Sequence, residues 1–256
     1  MRRNSLFWSV LVIALLGAGC SSGKSSNVSA STTVAKSTTS AASTSTTSVA
    51  PATTDPTLAP KATAALPQPA DFPAAFKQQP DQSGDCPASA ATCSSLALEA
   101  VWHDIITCLG VTDTPQASAT SPTYLQNLAT QARATVEYTT EASATAIATA
   151  LAGPMFQGCA TTAFTADAKR NAPPGATPGT PAVSPLTFTP VGQKISATRI
   201  MTAMNLQDLP IKLYQDFLVV FNGRTVIRMF FLNPGSGFPP TLEQSLVQKV
   251  VARAGT

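Results

Sequence analysis

The segment from Ile211 to Leu232, interrupted only by Asn222-Gly223, constrains this chain more than any other part of it. Asn-Gly between two runs of β-branched and aromatic residues predicts a hairpin with a type I′ turn. Such a loop pairs Phe221 with Arg224, hence Val219 with Val226, Phe217 with Arg228 and Gln215 with Phe230 on one face. The opposite face gathers Tyr214, Leu218, Val220, Thr225, Ile227, Met229 and Phe231. Both faces are largely apolar, so the hairpin belongs inside a sheet covered on both sides, or presents one face to a pocket. Further strands are expected near residues 186–191 and 195–204, and Asn233-Pro234-Gly235 ends the sheet.

Helical periodicity supplies the covering layers. Leu98, Trp102, Ile105 and Leu109, with Val101 and Cys108 alongside, predict an amphipathic helix over 94–109, opened by a Ser cap and closed by Gly110. A strand is expected over 132–139, an Ala-rich helix over 141–151 stopped by Gly153-Pro154, and a helix over 155–169 carrying Cys159. The last helix has the stripe Leu242, Leu246, Val247, Val250 behind a Thr241-to-Gln244 capping box. Residues 171–185 are rich in proline and read as a surface loop rather than a lid. The fold class is therefore α+β, an antiparallel sheet of four to six strands with helices packed on it.

The N-terminus carries a different message. Arg2-Arg3, an apolar run from Leu6 to Leu16, and Gly17-Ala18-Gly19-Cys20 follow the order of an export signal, and the run is too short for a membrane span. Leu16 to Cys20 resembles a bacterial lipobox, with Gly17 where that family usually places Leu. The resemblance implies cleavage after residue 19, lipidation of Cys20 and residence on the extracytoplasmic face of the cell membrane. From Ser21 to about Ala65 the chain is mostly Ser, Thr, Ala, Val and Pro, with no aromatic residue and four charges (Lys24, Lys36, Asp55, Lys61), so 20–65 is read as a lipidated, disordered tether and 66–256 as the folded domain.

Loss of residues 1–19 removes two arginines and lowers the formal charge from +3 to +1. Residues 66–256 hold 11 basic and 12 acidic side chains, which gives no footprint for nucleic acid. With Cys20 assigned to lipid, Cys86, Cys93, Cys108 and Cys159 remain, an even number suited to an oxidising compartment. Three pairings are open. Cys86–Cys93 with Cys108–Cys159 is favoured, because the first closes a short loop and the second ties two helices. Zinc is disfavoured by the Cys-x6-Cys spacing and by His103 being the chain's single histidine. No cofactor is expected.

Short motifs in order carry a family resemblance. They are Cys108-Leu109-Gly110-Val111, Ser121-Pro122, Val136-Glu137, Phe156-Gln157-Gly158-Cys159, Ala172-Pro173-Pro174-Gly175, Asn222-Gly223-Arg224, and Glu243-Gln244-Ser245-Leu246 leading to Val250-Val251-Ala252-Arg253. In these the chain resembles the external domains of actinobacterial cell-envelope lipoproteins and, more distantly, the extracellular sensor domain of mycobacterial serine/threonine kinases. The resemblance implies a disulfide-bonded sensor-like domain with a ligand cleft and no catalytic residues.

Catalytic patterns are sparse. Glu99 and His103 share a helix face and could orient a proton, but such pairs are usually solvated surface contacts. Gly235-Ser236-Gly237 lacks the spacing of a nucleophile elbow, and no glycine-rich phosphate loop is present. Arg228, placed among apolar residues, needs a carboxylate, a carbonyl or the ring of Phe217; in a cleft it would meet an anionic ligand, with Phe217 and Phe230 as neighbours. The function expected is non-enzymatic binding or sensing of a lipid or other envelope component. The alternative is an interaction module that scaffolds an envelope protein.

Overall fold

The long hairpin sits at the centre of the sheet. In the computed structural model, residues 55–79, 94–127, 130–172, 175–206 and 209–255 are described. In chain order the strands are β1 (Lys77–Gln78), β2 (Ala117–Thr120), β3 (Tyr124–Gln126), β4 (Thr130–Tyr138), β5 (Ala176–Pro178), β6 (Ala182–Pro185), β7 (Lys194–Leu206), β8 (Leu209–Asn222) and β9 (Thr225–Pro234). The helices are α1 (Leu58–Ala65), α2 (Ser94–Cys108), α3 (Glu141–Leu151), α4 (Phe156–Arg170) and α5 (Pro240–Ala254).

All described pairings are antiparallel, in the order β1-β3-β4-β9-β8-β7-β5, with β2 also on β4 and β6 also on β7. The α+β class with an antiparallel sheet is thus shown, but among the described residues the sheet has nine strands rather than four to six. The additional ones, β1, β2, β3, β5 and β6, are two to four residues long and show no apolar alternation of their own. They pair with a neighbour instead of burying a face. The proline-rich stretch expected as a loop supplies β5 and β6, both on the β7 edge, where proline's missing N–H is tolerated. Residues 186–191, expected as a strand, leave the sheet after the Leu186 N–H donates to Ala197 O, and Leu186, Phe188 and Val191 pack over its face.

The hairpin register differs from the expected one. Asn222 pairs with Thr225, Phe221 with Val226, Val219 with Arg228 and Phe217 with Phe230. Gly223, with φ +59°, is the first central residue of the turn rather than the second. A glycine at that position with an ordinary residue after it is the type II′ pattern. The change moves each pair by two residues on one strand, so the composition of each face is preserved.

Both faces are covered. On one, α1 and α5 pack with Phe72, Phe76 and Tyr124 over Leu218, Val220, Ile227, Met229 and Phe231. On the other, α2, α3 and α4 pack over Ile200, Phe217, Val219, Val226 and Phe230. α2 ends in a glycine-closed turn: Gly110, at φ +68°, donates to Thr107 O, and the Val111 N–H reaches back to Ile106 O. α3 starts where expected, with the Thr140 hydroxyl accepting from the Ser143 N–H. α5 does not use the capping box. Pro240 occupies the first helical position and the Glu243 N–H donates to Pro239 O, so the proline sets the start before Thr241 can cap.

The domain boundary expected at residue 66 also moves. Residues 58–65, assigned to the tether, form α1, whose Leu58, Ala62 and Ala65 are buried in the core. Their helical spacing makes a narrow apolar stripe that a composition argument averages away. Arg253 anchors the end of this stretch through its Nε to Ala65 O at 3.4 Å and its Nη2 to Asp71 Oδ2 at 2.7 Å. Residues 1–54, and with them Cys20, lie outside the described residues, as do Cys86 and Cys93. The Cys108–Cys159 disulfide is present and ties α2 to α4, with a Cα–Cα distance of 5.6 Å. Cys108 is exposed rather than inward-facing, while Cys159 is buried.

Candidate functional site

Strand β4 divides its side chains between the two cores. Ala132, Ala134, Val136 and Tyr138 join the α1/α5 side, which leaves Arg133, Thr135 and Glu137 toward α2. Arg228 on β9 lies opposite Thr135, so Glu137 is its diagonal neighbour on the same face. Arg228 Nη2 bonds Glu137 Oε1 and lies 3.0 Å from Glu99 Oε2, while its Cζ stands 4.8 Å from the centroid of the Trp102 ring. Trp102 is itself oriented by its indole N–H, which donates to Asp113 Oδ2 at 2.7 Å.

The guanidinium therefore has carboxylate and aromatic partners, with Trp102 taking the role considered for Phe217. Asp216 faces the other core, as the strand alternation requires, and holds Arg199. Arg228 is 5% exposed and fastens α2 to the sheet. Burial pushes the Glu137 carboxyl up to about 7 against the opposing pull of Arg228, and the nearby Asp113 and Glu99 carboxylates push the same way as burial. Glu99 is turned inward by this contact and by the Thr135 hydroxyl, which donates to its Oε1 at 3.0 Å. His103 is exposed, and no hydrogen bond joins it to Glu99 among the described residues.

Beside this ion pair, at the N-terminal end of α2 and the C-terminal end of α4, a cleft of about 270 Å³ opens over the sheet. Leu98, Met204, Leu213, Phe230 and Leu232 give it an apolar lining. Polar groups converge on it from three sources: Gln131 and Arg133 on β4, Thr202 and Gln215 on β7 and β8, and Asp167 and Asn171 on and just beyond α4. An apolar body with a few placed polar groups is the usual composition of a small-ligand site, and the volume falls just short of the roughly 300 Å³ at which that class begins.

Of the residues expected to bind ligand, Phe230 lines this cleft. Phe217 lies under α2 and α4, its ring centroid 6.1 Å from Trp102 and 6.3 Å from Phe164. Arg228 lies beside it in the ion pair and not in the cleft lining.

Asp167 is the cleft residue, among those sequence reasoning missed, that left a readable signal. It falls on the buried stripe of α4 with Ala160, Ala163 and Phe164, and an acid at a core position of an amphipathic helix was a readable signal. Its Oδ1 accepts from the Asn171 side-chain amide at 2.8 Å and lies 3.9 Å from Arg170. Burial nonetheless raises its carboxyl to about 6. Thr202 Oγ1 is buried in the same region and makes no hydrogen bond among the described residues.

A second buried polar cluster lies on the opposite face. Arg199 Nε and Nη2 donate to the two oxygens of Asp216, each at 2.6 Å, and Glu243 of α5 is 2% exposed beside them. Burial first, and then the Asp216 charge, raise the Glu243 carboxyl to about 8, with Arg199 pulling the other way. A carboxyl whose folded pKa exceeds its unfolded one favours folding at low pH, and that contribution is lost as pH rises from about 4.5 through about 8. Glu243→Gln is expected to leave stability at pH 4 unchanged and to raise it at pH 8.5 by a few kcal/mol, since each pH unit of displacement is worth about 1.4 kcal/mol. Urea titrations at the two pH values measure this; equal effects at both would contradict the assignment.

Among the described residues no helix is long and apolar enough to cross a membrane, and no group of three His, Cys, Asp or Glu side chains could hold a metal ion. Compared with known proteins, the chain matches no family and no curated relative.

Proposed function

We propose that this chain is an exported lipoprotein, anchored through Cys20 to the extracytoplasmic face of the cell membrane, whose domain binds a small envelope-derived ligand without transforming it. The anchoring half of the reading is supported by the order of Arg2-Arg3, the apolar run and Gly17-Ala18-Gly19-Cys20. The kinship with actinobacterial envelope lipoproteins and kinase sensor domains is part of the same proposal and rests on the motifs quoted above. The same proposal includes a second bridge, Cys86–Cys93, which rests on the even number of cysteines left after Cys20 and on the short loop it would close.

The observation that carries the binding half is the cleft at the free ends of α2 and α4. Its five apolar side chains and convergent polar groups fit an amphipathic molecule, and about 270 Å³ accommodates a small ligand or one part of a lipid rather than a whole one. The large apolar side chains left exposed among the described residues are Met155 and Leu209, too few to make the broad patch that a scaffolding surface needs.

Native mass spectrometry of the lipidated protein from its own host tests both halves. A Cys20-linked diacylglycerol and a second, non-covalent mass are expected, the second lost in Leu213→Trp, which fills the cleft from its partly exposed rim. An unmodified Cys20 would overturn the anchoring. A non-covalent mass that persists in Leu213→Trp, or none at all, would overturn the site.

A further inference from the structure

The cleft holds two polar groups that the fold does not fully satisfy. The Thr202 side chain, in a residue 2% exposed, lines it, and its hydroxyl makes no hydrogen bond among the described residues. A buried hydroxyl left without a partner costs stability. The second group is the carboxylate of Asp167, which is buried on α4 and lines the same cleft. Its contacts among the described residues, with Asn171 at 2.8 Å and Arg170 at 3.9 Å, both fall on Oδ1, which leaves Oδ2 for an incoming donor. Arg170 is half-exposed, so it offsets the carboxylate only in part.

The topology puts both groups on one side of the cleft. Thr202 lies on β7, and α4 packs against β5 and β6, the two short strands on the β7 edge. Thr202 pairs with Leu213 of β8, and Gln215, its diagonal neighbour on that strand, pairs in turn with Leu232 of β9. Leu213, Leu232 and Phe230 therefore form an apolar floor that runs from this polar end toward β4. Arg133, at the β4 border, is engaged within the protein and takes no part in the assignment.

A ligand that satisfies this arrangement carries several donors on one charged atom, set at the end of an apolar body. An alkylammonium has a positive charge and three N–H donors, which match a carboxylate oxygen, a hydroxyl oxygen and the amide oxygen of Gln215. A carboxylate head would meet Asp167 as a like charge, and a neutral chain would leave both polar groups unpaired. Resting on the binding role given above, we propose that the cleft takes an amphiphilic primary amine, its ammonium held by Asp167 and Thr202 and its apolar part lying over Leu213, Leu232 and Phe230.

Calorimetry on the full lipidated chain in detergent, with detergent alone subtracted, tests this with hexylamine, hexanol and hexanoate. At pH 7.5 hexylamine is expected to bind at least about tenfold more tightly than the other two, as one charge-assisted contact implies. Burial raises the Asp167 carboxyl to about 6, so most of it is protonated at pH 5, and hexylamine should bind roughly tenfold more weakly there. The charged groups around Asp167 are Arg170 on its own helix, Asp104 on α2 and Arg133 across the sheet. Asp167→Asn should abolish both the preference and its pH dependence, which separates Asp167 from them. Thr202→Val should weaken hexylamine binding several-fold and raise the melting temperature of the ligand-free protein, because the shape is kept and an unpaired buried hydroxyl is removed. The probe series and the pH profile on the unaltered chain stand whether or not the variants fold.

Equal binding of the three probes, or binding of none at about 1 mM, overturns the ammonium assignment. A lower melting temperature for Thr202→Val with hexylamine binding intact would give the hydroxyl to the fold and overturn its place in the site. If the probes fail and a co-purified mass is still lost in Leu213→Trp, the cleft remains a binding site for other chemistry. If that mass is not lost, the binding role falls as well.

Discussion

Arg228→Ala is expected to destabilise the domain by roughly 3–5 kcal/mol at pH 8, because it strands the Glu137 carboxylate in an interior without its counter-charge. Glu137 is 4% exposed and is already raised to about 7 with the guanidinium present. Without Arg228 its pKa must climb further. A carboxyl with a raised folded pKa favours folding below its unfolded value and loses that contribution as pH rises through the folded one. The variant should therefore be penalised less at pH 5.5, where Glu137 takes up a proton, than at pH 8. Part of the loss is insensitive to pH, since Arg228 also packs on the Trp102 ring and fastens Glu99 of α2 to β9. Chemical denaturation at both pH values measures the two parts. The double variant Arg228→Met with Glu137→Gln should recover most of the pH-dependent loss, because no uncompensated charge remains. Equal costs at pH 5.5 and pH 8 would show that the pair contributes packing alone.

The residues that revealed this pair, and those that concealed the cleft, show where sequence reasoning reaches. The hairpin was readable because alternation along Tyr214–Phe221 and Thr225–Phe231 leaves few polar residues on either face, and a strand apolar on both faces has no stable place at an edge. Arg228 stood out for the same reason, as a charge in a buried row. Its partners did not stand out: Glu137 lies 91 residues away and Glu99 on another element, and single-sequence periodicity holds no information about which strands become neighbours. The turn was misplaced by one residue because Asn-Gly suits I′ and Gly-Arg suits II′, and the choice is made by cross-strand packing. Face composition survived that error, since register moved by an even number.

The parts that escaped notice are short or faintly patterned. α1 has one leucine and alanines on its buried stripe, so its contribution comes from close backbone approach rather than from large apolar side chains. β1, β2, β3, β5 and β6 are too brief to show alternation, and proline at 178 and 185 argued against strand at positions that an edge tolerates. The cleft has residues from β4, β7, β8, β9, α2 and α4. Only Phe230 was anticipated, as an apolar neighbour of Arg228. Asp167 could have been found by asking why an acid follows Ala160, Ala163 and Phe164 at helical spacing; the others owe their proximity to tertiary pairing alone.

Removal of the Cys108–Cys159 bridge is expected to be comparably severe. The linked residues are 51 apart, and closure of such a loop restricts the unfolded chain by about 4 kcal/mol in the chain-entropy description. Against a total of roughly 5–15 kcal/mol for a typical domain, that is a large share. The double variant Cys108→Ser, Cys159→Ser is the appropriate test, because it leaves no lone thiol and leaves Cys86 and Cys93 untouched. Its denaturation midpoint should fall by an amount equivalent to about 4 kcal/mol, and a change under about 1 kcal/mol would sink the expectation. The geometry predicts a second effect. α2 and α4 run antiparallel: the bridge joins the C-terminal residue of α2 to the first turn of α4, while Leu98 near the start of α2 and Asp167 near the end of α4 line the same cleft. The cleft lies at the unbridged end; the half-exposed Arg170–Asp104 pair, which reaches the C-terminal half of α2, contributes at most about 1 kcal/mol. The disulfide is thus the fixed end of a helix pair whose free end frames the cleft. Cutting it should loosen the cleft before the sheet, and hydrogen exchange in the variant should accelerate first around Leu98 and Asp167 while β8 and β9 stay protected. Uniform acceleration across helices and central strands would mean that the bridge acts only through the unfolded state.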